Sequence, residues 1–152
     1  MVTLVGTQED FNDALTQLLE LEYDAVEAYR LAIEKLRNES YKARLLEFTA
    51  DHDSHIVEIS KFLEMHNITA PQSGDLIKGM LAKVKVLVGD MTSKDENILR
   101  AMLDNEKDTN AAYSRMINHQ HKTLDVEVFL LKALEDERRH KAWLERILNV
   151  EY

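Results

Sequence analysis

The stretches Asp51-His52-Asp53-Ser54-His55 and Asp136-Glu137-Arg138-Arg139-His140 decide the fold, because each sets two metal-capable side chains three residues apart on one helical face. Working outward, Glu22 and Tyr29 precede the first stretch, and Glu106 and Tyr113 precede the second. The glutamates (22 and 106) and the tyrosines (29 and 113) are offset by 84 positions, and the paired positions (52 and 137, 55 and 140) by 85. A solvated charge pattern has no reason to repeat so closely.

Each of these residues interrupts an apolar stripe of helical period. The first stripe is Phe11, Leu15, Leu18, Glu22, Val26, Tyr29, Ile33 and Leu36, and the second is Leu45, Phe48, His52, His55, Ile59, Phe62 and His66. The third runs Leu99, Leu103, Glu106, Asn110, Tyr113, Ile117, and the fourth Val126, Leu130, Ala133, Glu137, His140, Leu144, Ile147. Four helices over about 8–38, 41–66, 94–121 and 124–149 follow, with Thr7-x-x-Asp10 and Ser93-x-x-Glu96 as starting caps. The turns at Asn38-Glu39-Ser40 and His121-Lys122-Thr123 are short and force antiparallel hairpins. Between the hairpins, a long crossover over about 67–93 carries Leu76, Ile77, Met80, Leu81, Val84, Leu87 and Val88 before Gly89, which predicts a short helix. The expected architecture is an all-α, antiparallel four-helix bundle in a single domain spanning 1–152.

Composition narrows the chemistry. Four Gly and one Pro among 152 residues, with a hydrophobic fraction of 45%, favour long helices over turn-rich β structure. The formal charge of −9 lacks the basic stripe that nucleic acid requires and favours cations as guests. The absence of cysteine excludes disulfides, thiolate metal sites, iron–sulfur clusters and a cysteine nucleophile. Any metal must then be held by Glu, Asp and His. No basic leader opens the chain and no stretch reaches the roughly 18 apolar residues of a membrane span, so a soluble, cytoplasmic protein is expected.

Taken singly, the residues have plain explanations. Glu22 or Glu106 alone reads as a boundary residue that snorkels to solvent, and Tyr29 or Tyr113 as a core aromatic. His66 reads as a hydrogen-bonded core residue, His119 and His121 as partners of a helix end, and Trp143 as a packing or dimer contact. The joint pattern overrides these readings at the six ligand positions. Burying three Glu and three His at one level of a bundle without a cation costs many kcal/mol. Glu137 with His140 can hold one ion, His52 with His55 another, and Glu22 and Glu106 can bridge from the remaining sides.

The stretches Glu22-Tyr-Asp-Ala-Val-Glu-Ala-Tyr29, Asp51-His-Asp-Ser-His55, Glu106-Lys-Asp-Thr-Asn-Ala-Ala-Tyr113 and Asp136-Glu-Arg-Arg-His140 resemble the ferritin-like superfamily, and within it the rubrerythrin-like di-iron carboxylate bundles. The resemblance covers all four helices. It implies two metal ions midway along the bundle, ligated by Glu22, His52, His55, Glu106, Glu137 and His140. Iron is the first expectation and zinc or mixed occupancy the second. The resemblance also implies oxygen- or peroxide-linked redox activity of peroxidase or ferroxidase type, with Tyr29 and Tyr113 hydrogen-bonded to ligand carboxylates.

Two departures qualify what the resemblance implies. The family pattern has Glu where His52 stands, so two divalent ions would meet three carboxylates and keep a formal charge of about +1. Asp51 and Asp53, the nearby acids, lie one residue off the stripe. No Cys-x-x-Cys electron-transfer module is present, so electrons must come from a separate donor. The alternative is a non-enzymatic bundle that binds iron or zinc for buffering, or is stapled by metal while docking a partner. Exposed apolar positions on long helices allow a homodimer.

Overall fold

The computed structural model describes residues 3–74 and 79–150, with side chains in the crossover helix described from residue 82 onward. Helix α1 spans Phe11–Lys35, α2 Glu39–Met65, α3 Gly79–Gly89, α4 Asp95–Ile117 and α5 Glu127–Leu148, with one 3-10 turn at Leu124–Val126. Among the described residues the secondary structure is all-helical, and α1, α2, α4 and α5 form the expected ferritin-like bundle, built from the hairpins α1–α2 and α4–α5. The crossover helix is present as expected and lies against α1 and α4, where Val84 is fully buried. Leu76 and Ile77, and the side chains of Met80 and Leu81, lie outside the described residues.

Local chemistry sets the helix ends: α2 begins at Glu39, two residues before the expected start, and the other helices fall inside their expected limits. Asp10, the last residue of the Thr7-x-x-Asp10 signal, is itself the N-cap, and its carboxylate accepts from the Asp13 N–H at 2.9 Å. Asn38 caps α2 by accepting from the N–H groups of Ser40 and Tyr41. The Asp95 carboxylate accepts from the N–H groups of Arg37 and Asn38, each at 2.9 Å, and so ties the first hairpin turn to the start of α4. The expected Ser93-x-x-Glu96 box does not form. Asp90 instead closes a turn by accepting from Thr92, so Lys94 becomes the N-cap and Glu96 turns outward to Arg100.

Helix α4 stops at Ile117, four residues short of the expected limit, because residues 118–123 form the turn. His119 therefore lies beyond the helix and hydrogen-bonds the Gln8 carbonyl at 2.6 Å. His66 is hydrogen-bonded as expected, to Asn12 and Asp125, which fastens the end of α2 to the start of α1 and to the 3-10 turn. At the crossover's first residues, a Cβ on Gly74 would collide with the Asp24 carboxylate on α1, so only glycine fits that approach.

The core falls into two apolar clusters. One gathers Phe11, Leu15, Leu18, Leu19, Ile59, Leu63, Met116 and Leu130, and the other Leu36, Leu45, Phe48, Ile98, Leu99, Met102, Trp143 and Leu144. Trp143 meets Tyr41 and Phe48 edge-on within the second cluster. On their helices, His52, His55, Glu106, Glu137 and His140 fall between the members of one cluster and those of the other, and Glu22 lies near the end of the first cluster's stretch of α1, between Leu21 and Ala25. All six are buried. The apolar layers thus exclude water from both ends of a polar waist.

Candidate metal centre

The bundle brings all six expected ligand residues together. Two groups of four have one ligand atom each within 4.8 Å of the others: Glu22, His52, His55 and Glu137, and His52, Glu106, Glu137 and His140. The residues common to both groups are His52 and Glu137, whereas Glu22 and Glu106, expected to bridge or chelate, each fall in one group. The reason is azimuthal. Glu22 and Glu106 approach from opposite sides, and the first residues of the two x-x pairs, on α2 and α5, point between them.

The surrounding partners cross from one sequence half to the other. Tyr113 donates to Glu22 Oε1 at 3.0 Å, and Tyr29 donates to Glu106 Oε1, so each tyrosine serves the other half's glutamate. Likewise His55 Nε2 pairs with Asp136 Oδ2 at 2.9 Å, and His140 Nε2 pairs with Asp51 Oδ2 at 2.8 Å. Each carboxylate takes the Nε2 proton and turns the Nδ1 edge inward, the arrangement that orients ligating histidines. Arg139 ties both acids together from outside, at 2.8 Å from Asp51 and 3.0 Å from Asp136. Thr109 completes the set by donating to Glu137 Oε2 at 2.8 Å.

Three of these residues escaped the sequence reading. Asp51 was weighed only as a substitute carboxylate, and Asp136 and Thr109 were not singled out. A signal for the acids was present, since each stands four residues before a histidine (51 and 55, 136 and 140) and they repeat at the same 85-residue offset. Thr109 has no counterpart in the other half, where Ala25 stands, and no pattern marks it.

The inward edges are where the chemistry lies. His55 Nδ1, His140 Nδ1 and Glu137 Oε1 are buried and have no hydrogen-bond partner. Native interiors rarely leave such atoms without a partner, and the two groups around them are capable of holding metal ions that would satisfy them. His55 Nδ1 stands 3.4 Å from Glu137 Oε1 and 3.6 Å from Glu22 Oε1, and His140 Nδ1 stands 3.5 Å from Glu106 Oε1. Two donor atoms bound to one ion at roughly 2.0 to 2.2 Å stand about 3 to 3.5 Å apart, so most of these gaps match a shared ion. The donor set of three carboxylates and three imidazoles suits iron or zinc.

Proton affinities report the same field. Burial works against every charge here, yet His52 and His55 hold the Glu22 carboxyl down at about 2. Burial likewise disfavours the charged form of His55, but Glu22 and Glu137 hold the ring proton up to about 10. Glu137 goes the other way. Burial and the nearby Glu106 and Glu22 push it up to about 7 against the pull of His52. Burial and the adjacent Glu106 and Glu22 carboxylates raise Tyr29 and Tyr113 well above the usual phenol range, so both remain donors. Without metal, protons held on the histidine rings balance the Glu22 and Glu106 carboxylates. A metal ion must displace them, so its binding is linked to pH.

The Asp51→Asn and Asp136→Asn substitutions remove the anion behind one histidine each. Either change is expected to weaken metal binding by about 10- to 100-fold with little change in helix content. Titration against a chelator of known affinity, alongside far-ultraviolet circular dichroism, checks this. Unaltered affinity in both variants would contradict the orienting role.

Comparison with solved structures matches the overall fold. A ferritin-like, diiron-carboxylate protein from Bacillus anthracis str. Ames superposes with a TM-score of 0.75 at 15% identity, over 97% of this chain and 99% of that one. A conserved hypothetical protein, rv2844, from Mycobacterium tuberculosis superposes with a TM-score of 0.74 at 19% identity, over 93% and 92%. At these identities the likeness concerns the fold. No curated protein matches the chain, and among the described residues no helix is long and apolar enough to cross a membrane. A family model described as "Domain of unknown function (DUF2383)" matches residues 10–119, and the chain belongs to that family.

Proposed function

We propose that the protein binds two metal ions, iron by first preference, at the polar waist, and that the loaded centre carries out oxygen- or peroxide-linked redox chemistry of the rubrerythrin-like kind. The observation that supports this reading most is the convergence of six buried Glu and His residues on three inward atoms without hydrogen-bond partners. Glu22, His55 and one oxygen of Glu137 would hold one ion, and Glu106, His140 and the other Glu137 oxygen the second. When bound, iron supplies the one-electron exchange between ferrous and ferric states.

The chain's own residues do the positioning. Tyr29 and Tyr113 fix the glutamates, and Asp51 and Asp136 fix the histidines. Phe48 stacks on His140 at 4.2 Å between ring centres, and Phe129 meets His55 edge-on, which keeps water away from the ligand rings. These 152 residues have no cysteine to hold an iron–sulfur or rubredoxin-type centre, so the redox reading takes its electrons from outside the bundle.

A second reading rests on His52, wholly buried where the rubrerythrin-like pattern has a carboxylate. Three carboxylates stabilise the higher charge of a diferric pair less well than four do, which favours a non-enzymatic bundle that buffers metal or is stapled by it. Anaerobic loading with ferrous iron, then addition of oxygen or peroxide, separates the two. The redox reading expects two irons per chain and rapid growth of near-ultraviolet ferric absorption. Tight zinc binding with no optical response from the iron-loaded protein would overturn it in favour of the second reading.

A further inference from the structure

The two halves of the centre correspond residue by residue, Glu22 to Glu106, Tyr29 to Tyr113, Asp51 to Asp136 and His55 to His140. One pair differs in kind, His52 against Glu137. Both lie on the dividing line. Glu137 offers Oε1 to the Glu22 half, 3.4 Å from His55 Nδ1, and Oε2 to the Glu106 half, 3.8 Å from His140 Nδ1. His52 also faces both ways, with Nδ1 2.7 Å from Glu22 Oε2 and Nε2 3.3 Å from Glu106 Oε1.

The resemblance in position hides a difference in capacity. A carboxylate has lone pairs on both oxygens and can ligate an ion on each side. A neutral imidazole has one lone pair and one N–H, so it can ligate on one side only and must present a proton to the other. Both ring nitrogens make hydrogen-bond contacts, Nδ1 with Glu22 Oε2 and, more loosely, Nε2 with Glu106 Oε1, and Nδ1 also stands 3.4 Å from Glu137 Oε1, so the shorter contact marks the side that keeps the proton. At 2.7 Å, Nδ1 and Glu22 Oε2 are at hydrogen-bond distance, with the ring N–H donating to the carboxylate. At 3.3 Å, Nε2 and Glu106 Oε1 have the separation of two donor atoms on one ion, as do His140 Nδ1 and Glu106 Oε1 at 3.5 Å.

We propose that His52 makes the centre unequal: a first ion is held tightly by Glu106, His140, the Nε2 of His52 and Glu137, and a second is held weakly by Glu22, His55 and the remaining oxygen of Glu137. This rests on the metal-binding reading above and specifies the order of loading. Charge acts in the same direction. Glu106 and Glu137 neutralise the first divalent ion, whereas the second finds only Glu22 as a further anion. It also meets the His52 N–H where a fourth ligand would sit.

Competitive titration of the full chain with zinc tests the proposal. In the native protein the first ion is expected to bind at least about 100-fold more tightly than the second. His140→Ala is expected to abolish the tight phase, His55→Ala to leave it in place, and His52→Glu to bring the two affinities within about tenfold. Two ions of equal affinity in the native protein would overturn the proposal. So would a His55→Ala variant that weakens the first ion as much as His140→Ala does. The two alanine variants decide the question even if His52→Glu fails to fold. Failure of the native protein to bind zinc, cobalt or ferrous iron at all would instead overturn the metal reading itself, so the two failures are distinguishable.

Discussion

Glu137→Gln is expected to abolish tight metal binding and, at pH 8, to raise the melting temperature of the metal-free protein. The two effects have one cause. Glu137 contributes an oxygen to both halves, so its amide removes an anionic ligand from each ion, and affinity should fall by more than the roughly 10- to 100-fold typical of outer-shell changes. Without metal, however, the ionised Glu137 is a buried charge close to Glu22 and Glu106.

Burial and those carboxylates hold the Glu137 proton up to about 7, against 4.5 for a free glutamate. A raised carboxyl contributes stability below its unfolded value and loses it as pH climbs through the folded one. Above pH 7 the difference opposes folding by on the order of 3 kcal/mol, which a neutral amide avoids while still accepting from Thr109. For a chain of this size that corresponds to a rise of about 5 to 10 °C at pH 8, with little or none at pH 4. Thermal melts of chelated native and variant protein at the two pH values measure it. A variant less stable than the native protein at pH 8 would show that Glu137 is not a strained charge there.

The second large effect is the dependence of metal stabilisation on pH. His55 is held at about 10 and Glu137 at about 7, both raised. Their contributions to the metal-free fold are therefore complete below the unfolded values and are lost as pH rises through about 7 and then about 10. Glu22 has the opposite sign, since its contribution is present above 4.5 and is lost only as pH falls toward about 2. Between pH 6 and 10 the metal-free protein should therefore lose stability steadily.

Metal ions replace the departing protons and bind more tightly as competition from protons falls. At a free metal concentration 100 times Kd the gain is about 2.7 kcal/mol, or roughly 5 to 10 °C. The gap between loaded and chelated melting temperatures should widen from pH 6 to pH 9. Parallel curves over that range would mean that protons and metal do not compete for the same atoms.

The fold was legible because its two periodicities reinforce each other. Apolar residues at steps of three and four marked four helices, and the 84- to 85-residue offset paired them. The ligand candidates were legible for a physical reason as well, since an ionisable side chain in the middle of an apolar stripe must be compensated. What the stripes could not carry was the angle around the bundle. Helical period tells which face of α2 holds His52 but not whether the ring meets Glu22, Glu106 or both.

The crossed partners were hidden for a related reason. Asp136 precedes Glu137 by one residue and faces the gap between α2 and α5, where it meets His55, a residue 81 positions away. Only the assembled bundle brings them together. The helix ends slipped by a few residues because capping depends on which side chain wins a local contest. Asp90 won it at the start of α4.

The most direct test of the central claim is anomalous scattering from crystals of the metal-loaded protein, recorded on both sides of the metal's absorption edge. The account predicts its strongest peak within bonding distance of Glu106, His140, His52 Nε2 and Glu137, with a weaker or partly filled one beside Glu22 and His55. Anomalous peaks confined to surface carboxylates, with the six buried residues still closed on their own hydrogen bonds, would contradict it.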